Sequence, residues 1–247
     1  MSTPTCRGYH CTSSVLINAH IVPSGFARDT MDGFPHNLKI SPTKVHPTQH
    51  GVYDPAILCG TCDGLLGKLD DYALDVCRRF PKEHVDLGDG TFEMANIDGS
   101  TFAKFVLAVL WRASITNRPE FRNVTLGPYE AEACEIIFGA KPLSATANYE
   151  LLVGRYKQVG KFNTERNYTA PARWKIAGLN GWGFALHGFR IMAKIDRRSL
   201  PIDVRPAIVN GNTKLIGAFV SYETTTEGRA VLDMARAHRS RSQQKSP

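Results

Sequence analysis

Apolar positions change their period along the chain. Leu65, Leu69, Tyr72 and Val76 recur at intervals of four, three and four, the spacing of one helical face. Residues 101–140 keep a helical period. Phe102, Phe105, Val106, Val109 and Leu110 form one stripe there, and a second helix has Pro128 near its start, acids in its first turns and Gly139 just past its end. From 146 to 225 the period shortens to two. Trp182, Phe184 and Leu186 alternate on one parity and Phe189, Ile191, Ala193 and Ile195 on the other. The slip at His187-Gly188 predicts a bulge or two separate strands. Asn180-Gly181 and Asn210-Gly211 are predicted as hairpin turns. Residues 30–52 hold Pro35, Pro42 and Pro47 without any period and read as a long loop. A last helix is expected to start near Thr225 or Thr226.

This order of periods predicts an α+β protein, with a helix pair and a mainly antiparallel β-sheet after an N-terminal module. The expected divisions are a module over residues 1–80, connecting turns over 81–100, helix pair plus sheet over 101–234, and a disordered basic tail over 235–247. At 247 residues and 43% hydrophobic, the chain can bury a core without staples. No apolar run reaches the roughly 20 residues of a membrane span, and MSTPTCRGYH lacks the basic and apolar regions of a secretory signal. A cytoplasmic protein is therefore expected. The net charge of +7 hints at an acidic partner. Arg236, Arg239, Arg241 and Lys245 supply four of those charges from the tail, so the body is only mildly basic.

Four of the six cysteines fall in two tight pairs, Cys6 with Cys11 in CRGYHC and Cys59 with Cys62 in LCGTC. Two such knuckles about fifty residues apart have the spacing of a four-thiolate zinc site. Four protein ligands leave no open position, so the expected Zn²⁺ is structural. His10 lies in the first knuckle and could replace one thiolate, while Cys77 and Cys134 are expected as free thiols.

Between the knuckles the chain reads VLINAHIVPSGFAR, residues 15–28, and the second pair opens ILCGTCDGLLGKLDDYA, residues 57–73. The order of a Cys pair, His-Ile-x-Pro, then Cys-x-x-Cys followed by a helix resembles the HNH, or ββα-metal, endonuclease family over about residues 6–80. The resemblance implies a zinc-braced ββα-metal module in which His20 is the general base that activates water. It places Asp54 where the family commonly has the asparagine that fixes the histidine loop. Asp63 falls at the family's final His or Asn, a metal ligand. In a narrower bacterial group of uncharacterised HNH-like proteins, which looks closer still, a further acid stands about seven residues on, where this chain has Asp70, and a Trp-Arg pair follows, as Trp111-Arg112 does here. Many members carry a metal-binding acid just before the histidine, whereas this chain has Ala19.

Helix geometry bears on that departure. Seven residues are nearly two turns, so Asp63 and Asp70 share a face, expected to point away from the apolar stripe, with Gly67 leaving the space above open. Two such carboxylates can hold Mg²⁺ or Mn²⁺ through oxygen; two solvated acids, the second paired with Lys68 or an arginine, are the bland alternative. The resulting expectation is a metal-dependent endonuclease acting on DNA, with Lys68, Arg28 or Arg112 as phosphate contacts. The alternative is a non-catalytic, zinc-braced nucleic-acid-binding or partner-binding protein on a degenerate HNH fold, which Ala19 and the mild charge of the body favour. His36, His46 and His50 in the Pro-rich stretch are near enough in sequence to reach the site.

Overall fold

The computed structural model describes residues 4–31, 37–40, 45–48, 51–157, 164, 168–225, 228, 229, 232, 233 and 236. The chain opens with β1 (Ala19–His20) and α1 (Ser24–Met31). A two-stranded antiparallel hairpin of β2 (Asn37–Ile40) and β3 (Val45–Thr48) follows, so part of the stretch expected as a plain loop has regular structure. Next, β4 (Tyr53–Asp54) returns to pair antiparallel with β1, Ala19 opposite Asp54 and His20 opposite Tyr53. The long helix α2 (Gly60–Glu83) starts directly at the second cysteine knuckle.

The stretch expected as connecting turns continues α2 to Glu83 and then forms β5 (Val85–Asp86) and β6 (Thr91–Met94). The helix pair follows as expected, α3 (Gly99–Ile115) and α4 (Glu130–Ile137). A 3-10 turn containing Pro128 leads into α4, and Gly139 at φ +82° follows it. Asp98 caps α3, its carboxylate accepting from Thr101 N at 3.0 Å and from Thr101 Oγ1 at 2.6 Å. Thirteen of the seventeen α3 residues are buried, so α3 is a core helix rather than an amphipathic one.

The remaining strands are β7 (Tyr149–Lys157), β8 (Ala172–Ile176), β9 (Leu179–Leu186), β10 (Phe189–Ile195) and β11 (Leu215–Ser221). They join β5 and β6 in a seven-stranded sheet of order β5-β6-β11-β7-β10-β9-β8. Every pairing is antiparallel except β11 with β7. The architecture is thus α+β with a mainly antiparallel sheet, as the periods predict. One apolar cluster runs from Cys6 through α2 and α3 to the sheet residues Phe92, Phe184, Phe189 and Leu215.

The hairpin turns differ from expectation. Asn180 and Gly181 lie inside β9. The turn before them is Ala177-Gly178, at φ +49° and +78°, and the slip at His187-Gly188 is a second two-residue turn, at φ +48° and +78°. Positive φ at both central residues matches the right-handed strand twist. Gly181 answers to packing instead, since a Cβ there would stand 2.6 Å from Ala193 O and 2.7 Å from Ile176 Cδ1. Asn210-Gly211 does turn the chain, with Gly211 at φ +73°, but it joins no neighbouring strands. The Asn210 amide is tied to β7, accepting from Leu151 N at 2.9 Å and donating to Tyr149 O at 2.8 Å.

The last helix starts near Thr225 as expected. Thr225 Oγ1 accepts from Gly228 N at 3.1 Å, and Thr225 O accepts from Arg229 N at 2.9 Å. The basic tail beyond residue 236 lies outside the described residues. No described helix is long and apolar enough to cross a membrane.

Candidate metal centre and the residues beside it

The two knuckles meet because the backbone around them is laced together. Arg7 N donates to Ile57 O at 2.8 Å, Ile17 N to Leu58 O at 3.0 Å, and Leu16 bridges to Cys59. Within the first knuckle Cys11 N donates to Gly8 O at 3.1 Å. The sulfurs of Cys6, Cys11, Cys59 and Cys62 then lie within 4.8 Å of one another, and those of Cys11 and Cys59 are 3.8 Å apart. Tetrahedral zinc with Zn–S bonds of about 2.3 Å requires S···S separations of about 3.8 Å.

The local chemistry fits a cation. Cys6 Sγ accepts from Gly8 N at 3.4 Å and from Cys59 N at 3.3 Å. Burial pushes the Cys6 and Cys62 thiols up, and neighbouring sulfurs add to the rise at Cys62. The Cys62 backbone N–H in the first turn of α2 draws Cys59 down to about 7. Four crowded sulfurs cannot all ionise beside one another without a positive charge among them. Gly8 is required here, because a Cβ would stand 2.5 Å from Cys62 Sγ. The cluster can hold a metal ion and is compatible with a structural zinc. Among the described residues, no other group of three or more His, Cys, Asp or Glu side chains is placed to do so. Cys77 and Cys134 lie outside the four-sulfur group; Cys134 Sγ donates to Arg7 O at 3.8 Å, and burial pushes its thiol up to about 11.

The β1–β4 pair lies beside this centre. His20 is half-buried, with its ring edge-on to Tyr53 at 6.1 Å between centroids. Gly51 leaves space beside it, since a Cβ there would approach Val22 O to 3.2 Å and His20 Cδ2 to 3.7 Å. Ala19 has no exposed surface, so its side chain belongs to the core.

Asp54 is buried. It accepts from Ala56 N at 2.8 Å and from Thr116 Oγ1 at 2.5 Å, pinning β4 to the end of α3. Thr116 carries no signal in the sequence that marks it as this partner.

On α2 the buried positions are Cys62, Leu66, Ala73, Leu74, Val76, Cys77 and Phe80, whereas Leu65 is 49% exposed. The stripe is therefore centred on Leu66 rather than Leu65. Asp63 and Asp70 lie at the margin of the inner face that Leu66, Ala73 and Cys77 form, and do not point away from it. Asp70 meets Arg112 of α3. Arg112 Nη1 donates to Asp70 Oδ2 at 2.9 Å and Nη2 to Oδ1 at 2.7 Å, with only 1% of the arginine side chain exposed. Both Asp70 oxygens are engaged by this fork, and so is Arg112, which leaves Lys68 and Arg28 as the exposed cations of the three named from the sequence.

Asp63 is half-buried, and no hydrogen bond reaches its carboxylate among the described residues. Burial raises its pKa, Arg112 opposes that rise, Asp70 adds to it, and His20 is close enough to oppose it as well. Above Gly67 and Gly64, on the adjacent face of α2, a Cβ would meet nothing within 4 Å. His36 and His50 lie outside the described residues, and only the backbone of His46, in β3, is described. The chain matches no protein-family model, no curated protein and no solved structure.

Proposed function

We propose that the protein is a zinc-braced, metal-dependent phosphodiesterase acting on DNA, as the HNH-like pattern of the sequence implies. The observation that carries the reading is that half-buried His20 on β1 lies close enough to favour the charge of Asp63 at the start of α2, whose carboxylate no hydrogen bond reaches among the described residues. His20 in its neutral form takes a proton from the attacking water. Asp63 is the carboxylate that would hold a hard cation, with Asp54 keeping the β1–β4 pair in register. A Mg²⁺ or Mn²⁺ held by Asp63 would supply charge stabilisation at the scissile phosphate. Exposed Lys68 and Arg28 are the phosphate contacts.

A second reading is supported by two particular positions. Ala19 is core and Asp70 is spent on Arg112, so of the positions the sequence nominated for a catalytic cation Asp63 alone is left among the described residues. On that reading the module binds nucleic acid without cutting it. Supercoiled plasmid and a labelled single strand, incubated with full-length protein and Mg²⁺, Mn²⁺ or Ni²⁺, decide between the two. Cleavage that His20→Ala abolishes without loss of zinc supports the phosphodiesterase. Salt-dependent binding with no cleavage by the wild type under any of the three metals establishes the second reading instead.

A further inference from the structure

A cavity of about 580 Å³ opens at the C-terminal end of α2, about 25 Å along the helix axis from Asp63. That volume is within the roughly 300–1,000 Å³ of small-molecule sites. Phe80 and His84 of α2, Asp86 of β5, Arg155 and Lys157 of β7 and Phe219 of β11 all line it. Strand register brings them together. β11 runs parallel to β7 with Phe219 beside Arg155, so these two side chains share a face of the sheet. The α2 rings meet that face: the Arg155 guanidinium carbon is 4.7 Å from the Phe80 ring centroid, and His84 is edge-on to Phe219 at 5.9 Å.

Polar atoms are set into this aromatic lining. His84 stacks on Phe80 at 4.5 Å, with 7° between the planes. In the neutral ring Nδ1–H donates to Phe80 O at 2.8 Å, which fixes the tautomer and leaves Nε2 as an acceptor that no described residue hydrogen-bonds. Thr164 also lines the cavity. It is only 3% exposed, and no described residue hydrogen-bonds its hydroxyl. A hydroxyl taken from water without a partner is costly, so a ligand that meets it is favoured. Arg155 is buried and committed to the fold, Nη1 donating to His187 O at 2.7 Å. Lys157 is exposed, and the opposing Asp86 carboxylate already accepts from Gly88 N at 2.9 Å.

We propose that this cavity binds a small planar aromatic anion. Its ring lies against His84 and Phe219, its carboxylate or phosphate monoester is met by Lys157, and an N–H or O–H on the ring donates to His84 Nε2. Flat aromatic walls favour a flat ligand, and the few polar groups fix its orientation. The proposal goes beyond the phosphodiesterase reading and uses none of its residues.

The test is isothermal titration calorimetry of the full-length protein with adenosine 5′-monophosphate and with 4-hydroxybenzoate. Each is compared with its uncharged counterpart, adenosine or 4-hydroxybenzamide. At least one anion should bind one to one with a dissociation constant below about 1 mM, and about tenfold more tightly than its counterpart. Which anion binds distinguishes a phosphate ester from a carboxylate. Lys157→Gln should weaken binding about three- to fivefold. His84→Leu and Thr164→Val should each weaken it about fivefold or more. The Lys157 side chain is exposed, so Lys157→Gln keeps its fold and decides the question even where a buried substitution fails to fold. No saturable binding of either anion up to about 10 mM, equal affinity for anion and counterpart, or wild-type affinity in Lys157→Gln overturns the proposal. His20→Ala should bind the anion as wild type does, and loss of binding there assigns the ligand to the β1–α2 region and also overturns it.

Discussion

Asp70 and Asp63 stand seven residues apart on one helix and do opposite work. Asp70 is locked to Arg112, whose side chain is 1% exposed. Asp70→Ala leaves that guanidinium buried and unpaired, which should lower stability by about 3–5 kcal/mol in urea titrations, while Asp70→Leu/Arg112→Met should recover most of the loss. A ligand role for Asp70 predicts the reverse, a loss of cleavage at nearly unchanged stability. Asp63 is held in a setting that disfavours its charge, chiefly through burial. Its folded pKa is raised, so the stability linked to it is full below the unfolded value and is lost as pH rises through the folded one. Asp63→Asn should therefore be at least as stable as the wild type at neutral pH. That advantage should shrink on acidification, even as the substitution removes any cleavage. Thermal melts across acid to neutral pH read both trends, and a variant less stable than wild type at neutral pH would refute this account of Asp63.

The elements themselves were legible in proportion to how local their determinants are. Asp98 at the head of α3 acts just as locally, although Asp98-Gly99 reads in the sequence as a turn and not as a helix start. Its hydrogen bonds from Thr101 hold its carboxyl below the usual range, so its stabilising contribution is present above the unfolded pKa and is lost as pH falls through the folded one. Asp98→Ala should cost about 1 kcal/mol at neutral pH, and the difference from wild type should narrow in acid. The cysteine knuckles, the Pro128 entry to α4 and the alternation of β9 and β10 could be read the same way, because the residues that decide them are neighbours in sequence. Misreadings arose where a distant partner decides. Gly181 is glycine because of Ala193 and Ile176 rather than a turn. Leu66 rather than Leu65 faces inward because α2 must meet α3. The Asp70–Arg112 fork spans 42 residues, and no spacing rule reaches that far. Around β1 and β4 the sequence nominated His20, Asp54 and Asp63, but it could not say that Thr116 would take up one oxygen of Asp54.

At the scale of the whole molecule, the four-cysteine cluster is not an appendage. Cys6, Cys59 and Cys62 belong to the same apolar cluster as Phe105, Phe189 and Leu215. Structural zinc sites contribute folding free energy directly. Stripping the metal with a strong chelator should therefore lower the melting temperature of the entire chain in a single transition, with near-ultraviolet circular dichroism of the tryptophans and far-ultraviolet signal moving together. Two separated transitions would show instead that the knuckle region unfolds alone.

The place of β11 in the sheet bears on how the chain is made. The β5–β6 pair is complete once residue 94 has been synthesised, and the β7–β10–β9–β8 run once residue 195 has, yet the two share no ladder until β11 enters between β6 and β7. Up to that moment a nascent chain leaving the ribosome carries two sheet fragments, each with a bare edge facing the slot that residues 215–221 will fill. Such edges are templates for pairing with another chain. Any ribosome stall or proteolytic cut between residues 195 and 215 thus releases a product that lacks the interior strand joining its two fragments, primed to take that strand from a second copy.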